Sequence, residues 1–140
     1  MAVPLADAAV TEVAITAEAD LIRVRQVLRG AAQQAGLGLV DETKFVTAGS
    51  ELGRNILTYA TGSRGRLRVE LARRSGRSGV QATFSDDGPG IADIDAAFTD
   101  GFSTSGSLGL GLPGAKRLVD EMTLTSGADG TTVVIVKWAR

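Results

Sequence analysis

The sequence predicts a two-layer α+β sandwich, a mixed and mostly antiparallel sheet covered on one face by helices. Three observations lead there. Two long stretches repeat apolar residues every three or four positions, and a shorter one follows a glycine-rich run. Several short stretches alternate apolar with polar residues, and turn-rich connections join most of them as hairpins. About five such strands and three helices in 140 residues leave the helices only one sheet face to cover.

Taken in chain order, Val10 to Thr16 alternates weakly, with Val13 and Ile15 on one side, and reads as an edge-type strand. From Asp20 to Ala35 the apolar residues Leu21, Val24, Leu28, Ala31 and Ala35 form a helical stripe, and Gly36 supplies the stop. A second helix is expected from Asp41, as N-cap, to about Ala60, burying Phe45, Ala48, Leu52, Ile56 and Tyr59. Leu67, Val69 and Leu71 then alternate with polar residues, as do Val80, Ala82 and Phe84, with the polar connection Arg73 to Gly79 between them. After the turn at Asp86 to Gly90 come a short apolar stretch around Ile91 to Phe98 and a glycine- and serine-rich loop from Asp100 to Gly111. Helical spacing resumes over Leu112 to Glu121, and a closing hairpin is expected from Met122 to Trp138, turning at Gly127 to Gly130.

The length suits one domain spanning residues 1–140, with residues 1–9 as a flexible N-terminus. Its composition is globular, 44% hydrophobic and 22% charged, but 18 glycines exceed average usage and signal specialised backbone. A net charge of −1 provides no field to attract nucleic acid or an anionic membrane. The chain has neither cysteine nor histidine. That removes disulfides, thiolate nucleophiles, serine-histidine triads, the usual zinc sites and a phosphohistidine intermediate. With no signal-like start and no long apolar run, a cytoplasmic location is expected.

Three segments carry candidate chemistry. Glu51 and Asn55 lie four apart on the second helix and project the same way. The Asn55 amide oxygen is a hard ligand suited to magnesium, and Glu51 can orient or deprotonate a nucleophile beside it. Flanked by Arg54, the pair also fits an ordinary solvated surface, the commoner case for such spacing alone. Asp86 ends an alternating strand, where its carboxylate can accept from an exocyclic amine such as that of adenine, while Gly88 and Gly90 let backbone approach a ligand. Asp-Gly-Pro-Gly is turn chemistry in any case, and Asp87 reads as a solvated turn residue.

The run Gly101 to Leu112 ends where a helix begins, so its amides suit a phosphate chain, and its small residues suit a closing lid. A flexible surface loop is the alternative, against which the Leu108, Leu110, Leu112 repeat argues for a packed conformation. Thr131 can support a buried aspartate or a water, or simply open a strand. Lys116 and Arg117 follow the loop, within reach of phosphate or on a solvated helix face. The arginines at 64, 66, 68, 73, 74 and 77 read as a basic edge that discourages strand pairing, or less readily as a docking surface for an acidic protein. Neither the P-loop spacing nor a Rossmann glycine pattern is present.

Together, Glu51-Leu52-Gly53-Arg54-Asn55, Asp86-Asp87-Gly88-Pro89-Gly90, Gly109-Leu110-Gly111 and Gly130-Thr131 resemble, in order, the N, G1, G2 and final boxes of the GHKL ATPase superfamily. The resemblance spans about residues 10–140 and implies a Bergerat-type ATP-binding sandwich using ATP and magnesium. It implies that Asp86 binds adenine, Asn55 holds magnesium and Glu51 is the catalytic carboxylate. By the same likeness Gly88, Gly90, Ile91, Ser105, Gly106, Gly109, Leu110, Gly111, Leu112 and Thr131 would contact the nucleotide, with residues 99–111 as the lid.

Within the superfamily the chain resembles the RsbT-type serine/threonine switch kinases of bacterial stressosomes. The likeness rests on Asp100 to Gly106, Gly109 to Leu118, Ser50 to Asn55, and Lys137-Trp138-Ala139-Arg140. It implies phosphoryl transfer to STAS-domain scaffold or antagonist proteins, then engagement of a downstream phosphatase or sigma-pathway regulator. Gly53 departs from the alanine usual in the family and would weaken the helix by up to about 1 kcal/mol. Two other readings compete: an anti-sigma factor that sequesters a sigma factor, and a plain ATP hydrolase.

Overall fold

The computed structural model describes residues 10–59, 64–88 and 112–140. In chain order these form β1 (Thr11–Ile15), α1 (Asp20–Gln34), α2 (Leu39–Tyr59), β2 (Gly65–Arg74), β3 (Arg77–Asp86), α3 (Leu112–Leu118), β4 (Glu121–Gly127) and β5 (Gly130–Trp138). The strands make one sheet in the order β1-β2-β3-β5-β4, and every pairing is antiparallel. The three helices share the face lined by Val13, Ile15, Leu67, Val69, Val80, Ala82, Phe84, Val133 and Ile135. This is the two-layer α+β architecture expected from the pattern. The short apolar stretch, the lid and the first nine residues lie outside the described residues.

The α1 stripe buries Leu21, Val24, Leu28 and Ala32. Asp20 anchors its start, its Oδ2 accepting from the backbone amides of Thr16 (2.8 Å) and Ala17 (3.0 Å). At the end, Gly36 adopts φ +87°, and Leu37 N and Gly36 N donate to the carbonyls of Ala32 and Gln33. That arrangement is the Schellman stop, and it spends the helix's orphan carbonyls. The second helix buries Phe45, Ala48, Leu52 and Ile56 as expected. It begins at Leu39 rather than Asp41, with Glu42 N donating to Gly38 O. Asp41 serves elsewhere: its carboxylate lies 3.5 Å from Lys137 Nζ and 3.7 Å from Arg140 Nε.

Three further expectations need correction. The connection Arg73 to Gly79 is no loop, because β2 and β3 stay paired from Gly65↔Asp86 through to Arg74↔Arg77. Only Ser75 and Gly76 turn, at φ +52° and +80°, the two positive values that a tight hairpin with the native twist demands. The basic hairpin is an edge only at its tip: β1 covers β2 from Gly65 to Val69 and β5 covers β3 from Gly79, so Arg66 and Arg68 lie inside the sheet while Arg73, Arg74 and Arg77 extend beyond the flanking strands. Finally, α3 stops at Leu118, and Glu121 opens β4. Among the described helices none is long and apolar enough to cross a membrane.

Candidate functional site

The site is assembled where α2 meets one end of the sheet. Gly49 and Gly53 let α2 settle onto Phe84 of β3; a β carbon at these positions would stand 3.3 Å and 3.9 Å from its ring. Phe84 faces the helices, and by strand alternation so does Asp86, two residues on. The helix reaches the same end of the sheet, for Gly65, the register partner of Asp86, lies tight against Ile56. Asn55 directly precedes Ile56 and is half-buried on the flank of α2, while Glu51, one turn earlier, is exposed. The neighbouring Arg54 does not neutralise Glu51; its guanidinium pairs with Glu18 at 3.1 Å.

Asp86 is half-buried at the end of an interior strand. Its Oδ1 accepts from Gly88 N at 2.8 Å, which fixes the carboxylate plane. Among the described residues Oδ2 has no hydrogen-bond partner, so one oxygen positions the group and the other is available. Asp87 is exposed, as expected of a turn residue, and it also clamps the strand end. Its carboxylate accepts from Arg64 N at 2.6 Å, and its own amide donates to Arg64 O at 3.2 Å. The chain leaving β3 is thereby tied to the chain entering β2.

Across the sheet Asp86 pairs in register with Thr131 of β5. The Thr131 hydroxyl shares a 2.9 Å hydrogen bond with Ser126 Oγ of β4, so the end of the sheet carries a short hydroxyl pair beside the carboxylate. Gly130 is held at φ +139°, and any β carbon there would run into the Asp86 carbonyl. Ser126 and the close approach of Gly130 are neighbours of Asp86 and Thr131 that sequence reading missed. The register of the closing hairpin, which sets Ser126 opposite Thr131, is the signal that could have found the first.

The structure thus brings together Asp86, Gly88, Thr131 and the second half of α2. Leu112 is placed differently in kind: its side chain is buried in the core at the start of α3, leaving only its backbone to meet a ligand. Lys116 and Arg117 are exposed on the same short helix. Gly90, Ile91, Ser105, Gly106, Gly109, Leu110 and Gly111 lie outside the described residues.

A model of the histidine kinase-like ATPase domain matches residues 15–137. The chain belongs to this family. As a histidine kinase-like ATPase it is 46% identical over 129 residues to the serine/threonine-protein kinase RsbT of Bacillus subtilis (strain 168), covering 91% of this chain and 96% of that one. It thus falls among the family's serine/threonine kinases. In three dimensions this histidine kinase-like ATPase resembles the RsbU and RsbW domains of a Mycobacterium tuberculosis protein, with a TM-score of 0.59, 26% identity and coverage of 93% of this chain. The likeness spans only 33% of that structure. The histidine kinase domain of an Erythrobacter litoralis blue-light-activated kinase shares the fold at a TM-score of 0.54 and 23% identity, over 85% of this chain and 63% of that one.

Proposed function

We propose that this chain is an ATP-dependent serine/threonine kinase of a stress-response partner-switching pathway, acting in the cytoplasm on STAS-domain proteins and then engaging a downstream regulator. The observation that carries this reading is the correspondence with RsbT along nearly the full length of both chains. In this reading residues 1–140 form one kinase domain, with residues 99–111 as its lid.

The donor set fits the nucleotide. Asp86 Oδ2, without a partner among the described residues, would accept from the exocyclic amine of adenine while Gly88 holds Oδ1, with Thr131 beside them in register. Among the described residues no group of three or more carboxylates gathers to hold a metal. Magnesium would therefore rest on the Asn55 amide oxygen, nucleotide oxygens and water, as suits an ion that keeps much of its hydration. Bound magnesium-ATP would supply the transferable phosphoryl group and offset its charge. Glu51, exposed and not spoken for by Arg54, orients the incoming hydroxyl and takes its proton as the oxygen bonds to phosphorus and ADP departs.

The test is direct. Incubated with magnesium-ATP and a STAS-domain protein from the same cell, the chain should transfer phosphate to serine or threonine. Intact nucleotide binding without transfer would sink the proposal, and stable co-elution with a sigma factor would replace it by the anti-sigma reading.

A further inference from the structure

The end of the sheet farthest from Asp86 holds a second built feature. Lys137 and Trp138 alternate along β5, so Lys137 points to the helices and Trp138 to the open face. Trp138 is nonetheless only 5% exposed there. It lies close over Gly79, where a β carbon would stand 2.6 Å from Cε3, and Arg74 and Arg77 cover its ring at 5.0 Å and 5.4 Å. Its indole N–H donates to Glu121 at 2.9 Å and its amide to Asp120 at 2.7 Å. The result is a surface groove of about 340 Å³ floored by the indole and walled by Arg74, Arg77, Arg140, Asp120 and Glu121.

The charges around this groove are not balanced. Glu121 is taken by Arg74 at 2.7 Å and 3.3 Å and by the indole. Asp120 is taken by Arg140 at 2.6 Å, by Lys137 at 3.7 Å and by the Trp138 amide. Asp41 faces Lys137 and Arg140 from α2. Among the lining residues Asp120 and Glu121 stand against Arg74, Arg77 and Arg140, and Arg77 has no carboxylate partner among the described residues. The excess is local, because the chain as a whole carries −1.

We propose that this groove docks an acidic segment of a protein partner, a carboxylate of the segment pairing with Arg77 while its chain lies along the β2–β3 hairpin. Charge complementarity sets the sign of the occupant. The groove accommodates a few side chains, and farther along β2 the open face alternates sign, Arg68 lying 3.6 Å from Glu70, which does not make the continuous basic track that nucleic acid needs. The ten residues of β3 put the groove roughly 30 Å from Asp86, so an occupant leaves the nucleotide site open.

The only tryptophan of the chain is the groove's floor, so its emission reports occupancy. Titrating a capped glutamate-rich octapeptide into the full chain without nucleotide should change Trp138 emission saturably. Binding should weaken about tenfold in Arg77→Ala, the loss of one charge-assisted pair. It should persist in Arg77→Lys and in Arg66→Ala, which lies on the same face toward the other end of the sheet, while a lysine-rich octapeptide gives no response. No saturable response, equal affinity for Arg77→Ala, or equally tight binding of a single-stranded oligonucleotide of the same charge would overturn the proposal. Since the measurement needs no ATP, its failure and a failure of phosphoryl transfer are separate results.

Discussion

Asp86 divides its two oxygens between duties, and a single atom exchange tells them apart. In Asp86→Asn the amide oxygen can keep the bond from Gly88 N, but the other position becomes an NH₂ donor facing the donor amine of adenine. We expect ATP affinity, followed by isothermal titration calorimetry, to fall by at least about tenfold, with the circular-dichroism spectrum unchanged. Glu51 belongs to a different step. Because Glu51 is exposed and has no hydrogen-bond or ion-pair partner among the described residues, Glu51→Gln should bind ATP like the parent and lose phosphoryl transfer by about 100-fold or more, as read from single-turnover labelling. Undiminished transfer would remove Glu51 from the chemistry. Of these residues, the Glu51 and Asn55 pairing was legible because four residues make one helical turn. The neighbourhood of Asp86 was legible only in part: Thr131 was expected to support an aspartate, but its register opposite Asp86 and its bond to Ser126 depend on strand pairings that no local sequence encodes.

Helix and strand identities followed from apolar periodicity, whereas their ends depended on partners distant in sequence. Arg74 and Arg77 look like loop residues, yet they sit on an open sheet face where a polar side chain costs nothing, and pairing continues beneath them. Asp41 looks like a cap, but its partners Lys137 and Arg140 come from the last strand and the segment after it. Lys137 itself, only 4% exposed, occupies a core-facing strand position that no reading of charge would have assigned. Helices α1 and α2 also hold three glycines whose surroundings predict three outcomes in urea denaturation. Gly30 has nothing within 4 Å, so Gly30→Ala should add up to about 1 kcal/mol from helix propensity. A methyl at Gly53 would meet Leu21 Cδ2 at 3.1 Å, so the same gain is offset and Gly53→Ala should change stability by less than about 1 kcal/mol. At Gly49 the methyl runs into Leu28 and stands 3.3 Å from Phe84, and Gly49→Ala should lose about 1–3 kcal/mol. A stabilising Gly49→Ala would contradict the packing of α2 on α1 and β3.

At the scale of the molecule, three carboxylates tie separate parts together and share one pH signature. The amides of Thr16 and Ala17 hold the Asp20 carboxyl below its ordinary value. Burial pushes Asp120 upward, but the Trp138 amide, the charges of Lys137 and Arg140 and the hydrogen bond from Arg140 outweigh it and leave it lowered. Glu121 is lowered by its hydrogen bonds from Trp138 and Arg74. A carboxyl lowered on folding stabilises fully above its unfolded value and loses that contribution as pH falls through the folded one. The thermal midpoint should therefore hold from pH 7 to about pH 5 and drop below about pH 4. The drop should be shallower in Asp120→Asn, which starts from a lower midpoint at pH 7. An identical acid limb in that variant would show that Asp120 is not part of the linkage.

The strand order has a consequence for the route by which the chain folds. Strands β2 and β3 can zip as neighbours in sequence, but the β1–β2 and β3–β5 pairings must each close across a long separation of chain, and β4 joins the sheet only through β5. Closing such separations is slow, because their entropy is lost before any contact is gained. Gly130 and Thr131 arrive beside Asp86 in the late β3–β5 pairing. Nucleotide bound beside Asp86 should therefore act as a late latch, slowing unfolding far more than it hastens folding.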